Sequence, residues 1–130
     1  LLDWAQQAID KFIDRNPDFP RKQCVVSDFF KHDGQYDVVL EQTFFCALPP
    51  AMRLNYVQHV HRLLKLGGVL TGVLFGIEFD HEGPPYGGRK EEYEKLFSQS
   101  FSDVEITPCK TSIKPRLGRE LFIKCRRDGK

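Results

Sequence analysis

The segment Val69-Leu-Thr-Gly-Val-Leu-Phe75 is a nearly continuous apolar run, interrupted only by Thr71 and Gly72. A run this short and this apolar suits a central parallel strand covered on both faces, and such a strand needs helices packed over its sheet. The flanking sequence supplies them. Ala5, Ala8, Ile9, Phe12 and Ile13 recur at helical spacing until Asn16-Pro17, where a proline and the residue before it cannot continue the helix. Leu54, Val57, Val60, His61 and Leu64 share a face between Pro49-Pro50, which suits a helix start, and Gly67-Gly68, which suits a left-handed stop. The spacing predicts a second helix over about residues 51–65. A third is predicted from Arg89 to Gln99, with Tyr93, Leu96 and Phe97 facing inward.

Strands fill the gaps. Gln23-Cys-Val-Val-Ser27 and Tyr36-Asp-Val-Val-Leu40 are too short for helices and rich in valine, and Leu1-Leu2-Asp3 reads as the last turn of a buried strand whose beginning is cut. Residues 104–111 and 120–126 alternate like a closing antiparallel pair. Helices alternating with strands and joined by right-handed crossovers give an α/β fold, a Rossmann-like and mostly parallel sheet with a C-terminal antiparallel hairpin. The 130 residues are one domain's worth of core.

Composition excludes several functions. With 41% hydrophobic residues but no run of eighteen apolar ones and no leader pattern, the chain reads as soluble and cytoplasmic. A net charge of +1 offers no broad electrostatic footprint for nucleic acid or membrane, and the basic tail from Lys124 to Lys130 reads as a solvated strand end. Cys24, Cys46, Cys109 and Cys125 form no CxxC pair, so reduced, mostly buried thiols are expected, with neither a zinc site nor a disulfide framework.

Chemistry is expected at the carboxyl ends of the strands, where open α/β sheets hold their ligands. Two stretches stand out there. Tyr36-Asp-Val-Val-Leu-Glu-Gln-Thr-Phe-Phe-Cys-Ala-Leu-Pro-Pro50 is a strand that ends in an acid and runs into an aromatic loop. The long loop from Gly76 to Gly88 fixes its backbone with glycines and prolines while presenting acidic and aromatic groups.

The string Glu41-Gln-Thr-Phe-Phe-Cys-Ala-Leu-Pro-Pro50, the stretch His61-Arg-Leu-Leu-Lys-Leu-Gly-Gly68, and Asp80-His-Glu-Gly-Pro-Pro-Tyr86 followed by Glu91-Glu-Tyr93 together resemble the thiopurine S-methyltransferase-like family. That family includes plant halide and thiol methyltransferases and belongs to the class I enzymes that use S-adenosylmethionine. Leu66 stands where the family often has proline, and the family's N-terminal strand with its glycine-rich loop has no counterpart here. The resemblance therefore implies the C-terminal portion of one methyltransferase domain.

It also implies roles. Asp3 matches the acid that accepts from the adenosine ribose hydroxyls, its alternative being a cap on the following helix. Trp4 flanks the adenine or simply packs. Asp28 and Phe29 match the segment that reads adenine, through a carboxylate and an aromatic face. Glu41 occupies the position facing the methionine moiety and the transferring methyl. Phe44 and Phe45 lie where aromatic faces attract a sulfonium and exclude water, with one of the two expected to be plain core. Tyr86 matches a tyrosine lining the acceptor pocket, where its hydroxyl orients a thiol or an anion. The implied reaction is methyl transfer to a small thiol, thiopurine-like compound, thiocyanate or halide, with a small-molecule acceptor as partner and neither nucleic acid nor membrane.

Competing assignments are weaker. His81 with Glu82 could offer a base, but such loop pairs are commonly solvated, and His59 and His61 do not share a helix face. Cys46 has no patterned histidine partner and fits a buried small hydrophobe better than a nucleophile. A catalytically inactive binding module is the alternative that the absent glycine-rich loop suggests. A nicotinamide-dependent dehydrogenase gives no role to the terminal hairpin.

Overall fold

The computed structural model describes residues 1–3 and 5–128. Two compact units emerge, Leu1–Gly34 and Gln35–Lys130. In the first, β1 (Leu2–Asp3) and β2 (Val25–Val26) pair in parallel, Leu2 opposite Val25 and Asp3 opposite Val26, with helix α1 (Gln6–Arg15) on the connection between them. The α1 stripe lies where the apolar period put it, with Ile9 buried. Its end is sealed by Asn16, whose backbone and side-chain amides both donate to the Phe12 carbonyl before Pro17.

The second unit is a four-stranded sheet in the order β3-β4-β6-β5, formed by β3 (Tyr36–Gln42), β4 (Leu64–Phe75), β5 (Asp103–Pro108) and β6 (Glu120–Arg126). β3 and β4 run parallel, and β6 pairs antiparallel with both β4 and β5. The terminal hairpin is thus folded in, so that β6 rather than β5 neighbours the central strand. Helices α2 (Phe44–Ala47), α3 (Arg53–Leu63) and α4 (Lys90–Phe97) complete the unit.

Strand alternation divides the sheet into two unlike faces. Leu70, Leu74, Ile106, Ile123 and Cys125 are buried on one of them, together with Tyr56, Val57, Val60, Leu63, Tyr93 and Phe97 from α3 and α4. Each such side chain fully removed from water contributes roughly 1.5–3 kcal/mol, so this is where the fold is held. On the other face Val38 is 53% and Leu40 80% exposed. Gly72 sits opposite Glu41 at a close approach, since a Cβ there would lie 1.9 Å from the Glu41 carbonyl oxygen.

Three expectations are corrected. The second helix begins only at Arg53, after a tight 3₁₀ turn over Pro50–Met52, and stops at Leu63. Leu64 already belongs to β4, and the left-handed Gly67 (φ +82°) lies inside that strand's first residues, donating to the Arg127 carbonyl rather than capping a helix. The buried face of α3 is also rotated by about one position: Arg53, Tyr56, Val57, Val60 and Leu63 point in, whereas Leu54 is 39% exposed. Finally, the aromatic loop after β3 contains a helical turn, α2. Among the described residues no helix is long and apolar enough to cross a membrane.

Candidate active site at the strand tips

The turn after β3 is built around one acid. Glu41 is 5% exposed, and its side chain is turned toward the helix-covered face. Its Oε2 accepts from the Phe44 amide at 2.9 Å, and its Oε1 accepts from the Phe45 amide at 3.0 Å and from the Tyr56 hydroxyl at 2.5 Å. The two amides lie at the start of α2, where backbone donors have no partner within the helix, so the carboxylate caps that turn from within the chain. Burial pushes the Glu41 carboxyl above its ordinary 4.5, against the pull of the Tyr56, Phe44 and Phe45 hydrogen bonds. Burial likewise pushes the Tyr56 hydroxyl well above 10.0, with the charge of Glu41 adding to it. Between acid and helix, Thr43 takes a left-handed conformation at φ 62°, which is rare for a β-branched residue.

Phe45 is completely buried, with its ring 5.1 Å from Tyr56, 5.6 Å from Tyr93 and 5.6 Å from Phe97. Of the expected aromatic pair it is therefore the core member, and any effect on a pocket passes through its neighbours. Phe44 is half-buried, 6.1 Å from the Tyr56 ring in a tilted arrangement. Cys46 is fully buried, and burial pushes its thiol up while its sulfur accepts from the Phe75 amide at 3.4 Å. A thiol in that setting is packing, not a nucleophile.

The Gly-Pro-Pro-Tyr loop docks onto this turn. The Tyr86 amide donates to the Cys46 carbonyl at 2.7 Å, and the Gly88 amide donates to the Ile77 carbonyl at 3.0 Å. Arg53 closes the arrangement from below, donating from Nη2 to the carbonyls of Gly87 at 2.9 Å and Tyr86 at 3.5 Å. Its guanidinium lies 4.8 Å from the Phe45 ring centre and 5.6 Å from that of Tyr93. Tyr93 is in turn anchored by its hydroxyl to the Phe75 carbonyl at 2.7 Å. The Tyr86 side chain is half-buried, and its hydroxyl has no hydrogen-bond partner among the described residues.

The sequence-predicted acids of the first unit are differently placed. Asp3 ends β1 half-buried and accepts the Ala5 amide on Oδ1 at 2.9 Å, a local turn leading into α1, whose own N-cap, Ala5, makes no side-chain cap hydrogen bond. Asp28 follows β2, is exposed, and accepts the Phe30 amide on Oδ1 at 2.9 Å. In each the second oxygen has no partner among the described residues. Phe29 is half-buried, edge-on to Phe30 with ring centres 5.3 Å apart. Trp4 lies outside the described residues.

A cavity of about 480 Å³ lies at the carboxyl end of β3 and β4, against the sheet face opposite the helices. Leu40, Gln42, Thr71 and Phe122 contribute its floor, and the loop between β5 and β6 walls it with Cys109 and Arg116. Arg116 faces the buried Glu120 carboxylate at 3.7 Å. The polar groups of Ser112 and Thr111 hold the Cys109 thiol below its ordinary 9.0, the Thr111 hydroxyl lying 3.7 Å from its sulfur.

Comparison with known proteins then decides the lineage. The profile of thiopurine S-methyltransferase (TPMT) matches residues 3–118. The chain belongs to the thiopurine S-methyltransferase family. It is 31% identical over 125 residues to the "Probable thiol methyltransferase 2" of Arabidopsis thaliana, covering 92% of this chain and 55% of that one. It is 32% identical over 94 residues to the thiopurine S-methyltransferase of Acinetobacter baylyi, covering 67% of this chain and 42% of that one. The chain thus spans about half the length of the curated relatives it matches. The solved structure of the N-methyltransferase NodS from Bradyrhizobium japonicum, in complex with S-adenosylhomocysteine, has a TM-score of 0.75, with 98% of this chain and 65% of that one covered at 13% identity. At that identity the likeness speaks for the fold, the class I methyltransferase α/β architecture expected from the sequence.

Two residues of this family member escaped sequence reading, Tyr56 and Arg53. A signal for Arg53 existed: with Tyr56, Val57 and Val60 it falls at positions i, i+3, i+4 and i+7, and a cation in a helix's first turn opposes the helix dipole. A charge placed against both rules marks a specific partner.

Proposed function

We propose that the chain acts in an S-adenosylmethionine-dependent S-methyltransferase, passing a methyl group to a small thiol, thiopurine-like compound, hydrosulfide, thiocyanate or halide. The observation that carries this reading is the docking of the Tyr86 loop on the turn after β3, through the 2.7 Å bond from the Tyr86 amide to the Cys46 carbonyl, which leaves the tyrosine hydroxyl open for an acceptor. When bound, the cofactor supplies a methyl already activated by a sulfonium charge.

The residues fit such a group on chemical grounds. In the first unit, Asp3 and Asp28 each keep one carboxylate oxygen available, which suits ribose hydroxyls and an exocyclic amine, and Phe29 is an aromatic of the kind that packs against a base. In the second unit Glu41 has both oxygens engaged, so its part is to fix the turn that carries Phe44 rather than to touch a ligand. The protein's work in the reaction is alignment and exclusion of water. A thiol with an ordinary pKa of about 8.5 is partly ionised at neutral pH, so transfer needs no strong general base. The Tyr86 hydroxyl orients the sulfur or anion. Free thiols at all four cysteines accord with a reducing cytoplasm.

The test is an assay with labelled S-adenosylmethionine against hydrosulfide, an aryl thiol, thiocyanate and iodide. Transfer to at least one, weakened in Tyr86→Phe, is expected. Absence of transfer to all of them, together with no calorimetric binding of S-adenosylhomocysteine, would overturn the reading. Binding without transfer would point to the inactive binding module instead.

A further inference from the structure

Arg53 is the least expected charge in the second unit. It is 8% exposed, and among the described residues no carboxylate lies within ion-pair distance of it. Its Nε has no hydrogen-bond partner there either. A cation taken out of water in this way is destabilising unless its surroundings compensate. What surrounds the guanidinium is two ring faces, Phe45 and Tyr93, and two backbone carbonyls, Tyr86 and Gly87. The rings belong to the turn after β3 and to α4, and the carbonyls to the Gly-Pro-Pro-Tyr loop. Arg53 therefore joins the fixed scaffold to the segment that bears Tyr86.

We propose that Arg53 is a positioning residue for the acceptor: it latches the Tyr86 loop onto the aromatic turn and thereby sets where the tyrosine hydroxyl stands. The inference rests on the methyltransferase reading for its functional consequence, and on the loop geometry alone for the latch. Two features make arginine the right residue. Its planar fork reaches adjacent carbonyls while its face lies against aromatic rings, and a lysine ammonium, a compact point charge, cannot do both. The loop also has no slack for another seat, because a Cβ on Gly87 would lie 1.8 Å from the Ile77 carbonyl oxygen and one on Gly88 would lie 2.5 Å from the Tyr93 hydroxyl. Removing the latch should leave the cofactor's carboxylates alone and disturb the acceptor.

The experiment compares the full-length protein with Arg53→Gln, Arg53→Lys and Gly87→Ala, the last unseating the loop from its own side while the arginine side chain is kept. Steady-state kinetics with hydrosulfide, thiocyanate and iodide give acceptor and S-adenosylmethionine KM values, and amide hydrogen exchange reports the loop. Arg53→Gln is expected to raise the acceptor KM about tenfold or more, as for loss of a hydrogen bond from a charged donor. The cofactor KM should stay unchanged, Arg53→Lys should fall between, and Gly87→Ala should shift the same parameter. Exchange at the Tyr86 and Gly88 amides should accelerate in Arg53→Gln while β4 and β6 stay protected. The proposal is overturned if Arg53→Gln keeps wild-type loop protection. It is equally overturned if exchange rises throughout the unit and both KM values and kcat change together, which is the signature of a scaffold residue. Wild-type protein that methylates none of the acceptors sinks the reaction assignment instead, and the exchange result then decides the latch by itself.

Discussion

Asp28 comes just after a short valine-rich strand and Glu41 stands in the last residues of another, yet the first unit leaves its acid in water with one backbone amide to hold, while the second buries its acid beneath two amides and a tyrosine hydroxyl. Asp3 resembles Asp28 in engaging a single oxygen. The difference separates two trades a strand-end carboxylate can follow. An acid with an oxygen to spare can meet a ligand's hydroxyls or amine. An acid whose two oxygens are both engaged by its own chain acts as part of the frame, and its influence on a ligand is exerted through the backbone it holds in place.

The strongest way to break this contrast is truncation. Glu41→Ala would strand the Phe44 and Phe45 amides and the Tyr56 hydroxyl in a buried site, and a loss of about 3 kcal/mol or more in denaturant unfolding is expected. If Glu41→Ala unfolds no more easily than Asp28→Ala, the two acids do not differ as described. A second probe is pH. Because burial raises the Glu41 carboxyl above 4.5 in the fold, the native state holds its proton more tightly than the unfolded chain does. The stabilisation linked to that proton is complete below 4.5 and is lost as pH climbs through the raised value. The unfolding free energy of wild type minus that of Glu41→Gln should therefore fall as pH rises from 4.5, and a difference that rises instead would contradict the burial.

Smaller changes sharpen the picture. Tyr56→Phe removes one donor and leaves the ring packing, so a loss of about 1–2 kcal/mol is expected from chemical denaturation, smaller than that of Glu41→Ala. Asp28→Ala, the mildest, should lose about 1 kcal/mol or less, in line with an exposed cap, while weakening S-adenosylhomocysteine binding in calorimetry. Unchanged binding would remove Asp28 from the cofactor's contacts.

Much of the fold was readable because its signals are local. The α1 stripe ended where Asn16-Pro17 said it must, the runs at Tyr36 and Val69 became adjacent parallel strands, and Tyr93 and Phe97 turned inward on α4 as their spacing required. What failed depended on tertiary context. Gly67-Gly68 looked like a helix stop, but β4 claims Leu64 onward because its backbone finds partners in β3 and at Arg127. The α3 face was misjudged because Leu54 outweighs Arg53 on any hydrophobic scale, although the arginine is the one the loop carbonyls draw in. The site was legible as two strings, the one after Glu41 and the one before Tyr86, but not as a joint. No spacing rule announces that the Cys46 carbonyl will meet the Tyr86 amide.

Thr43 gives the turn its character. A β-branched residue at φ 62° sits where glycine would rest more easily, at a conformational disadvantage on the order of 1 kcal/mol. The bend is consequently spring-loaded: left to itself it would relax toward extended backbone and carry Phe44 away with it. Glu41 is the catch that keeps the spring compressed, so the orientation of a half-buried aromatic ring is governed by a carboxylate that water scarcely reaches.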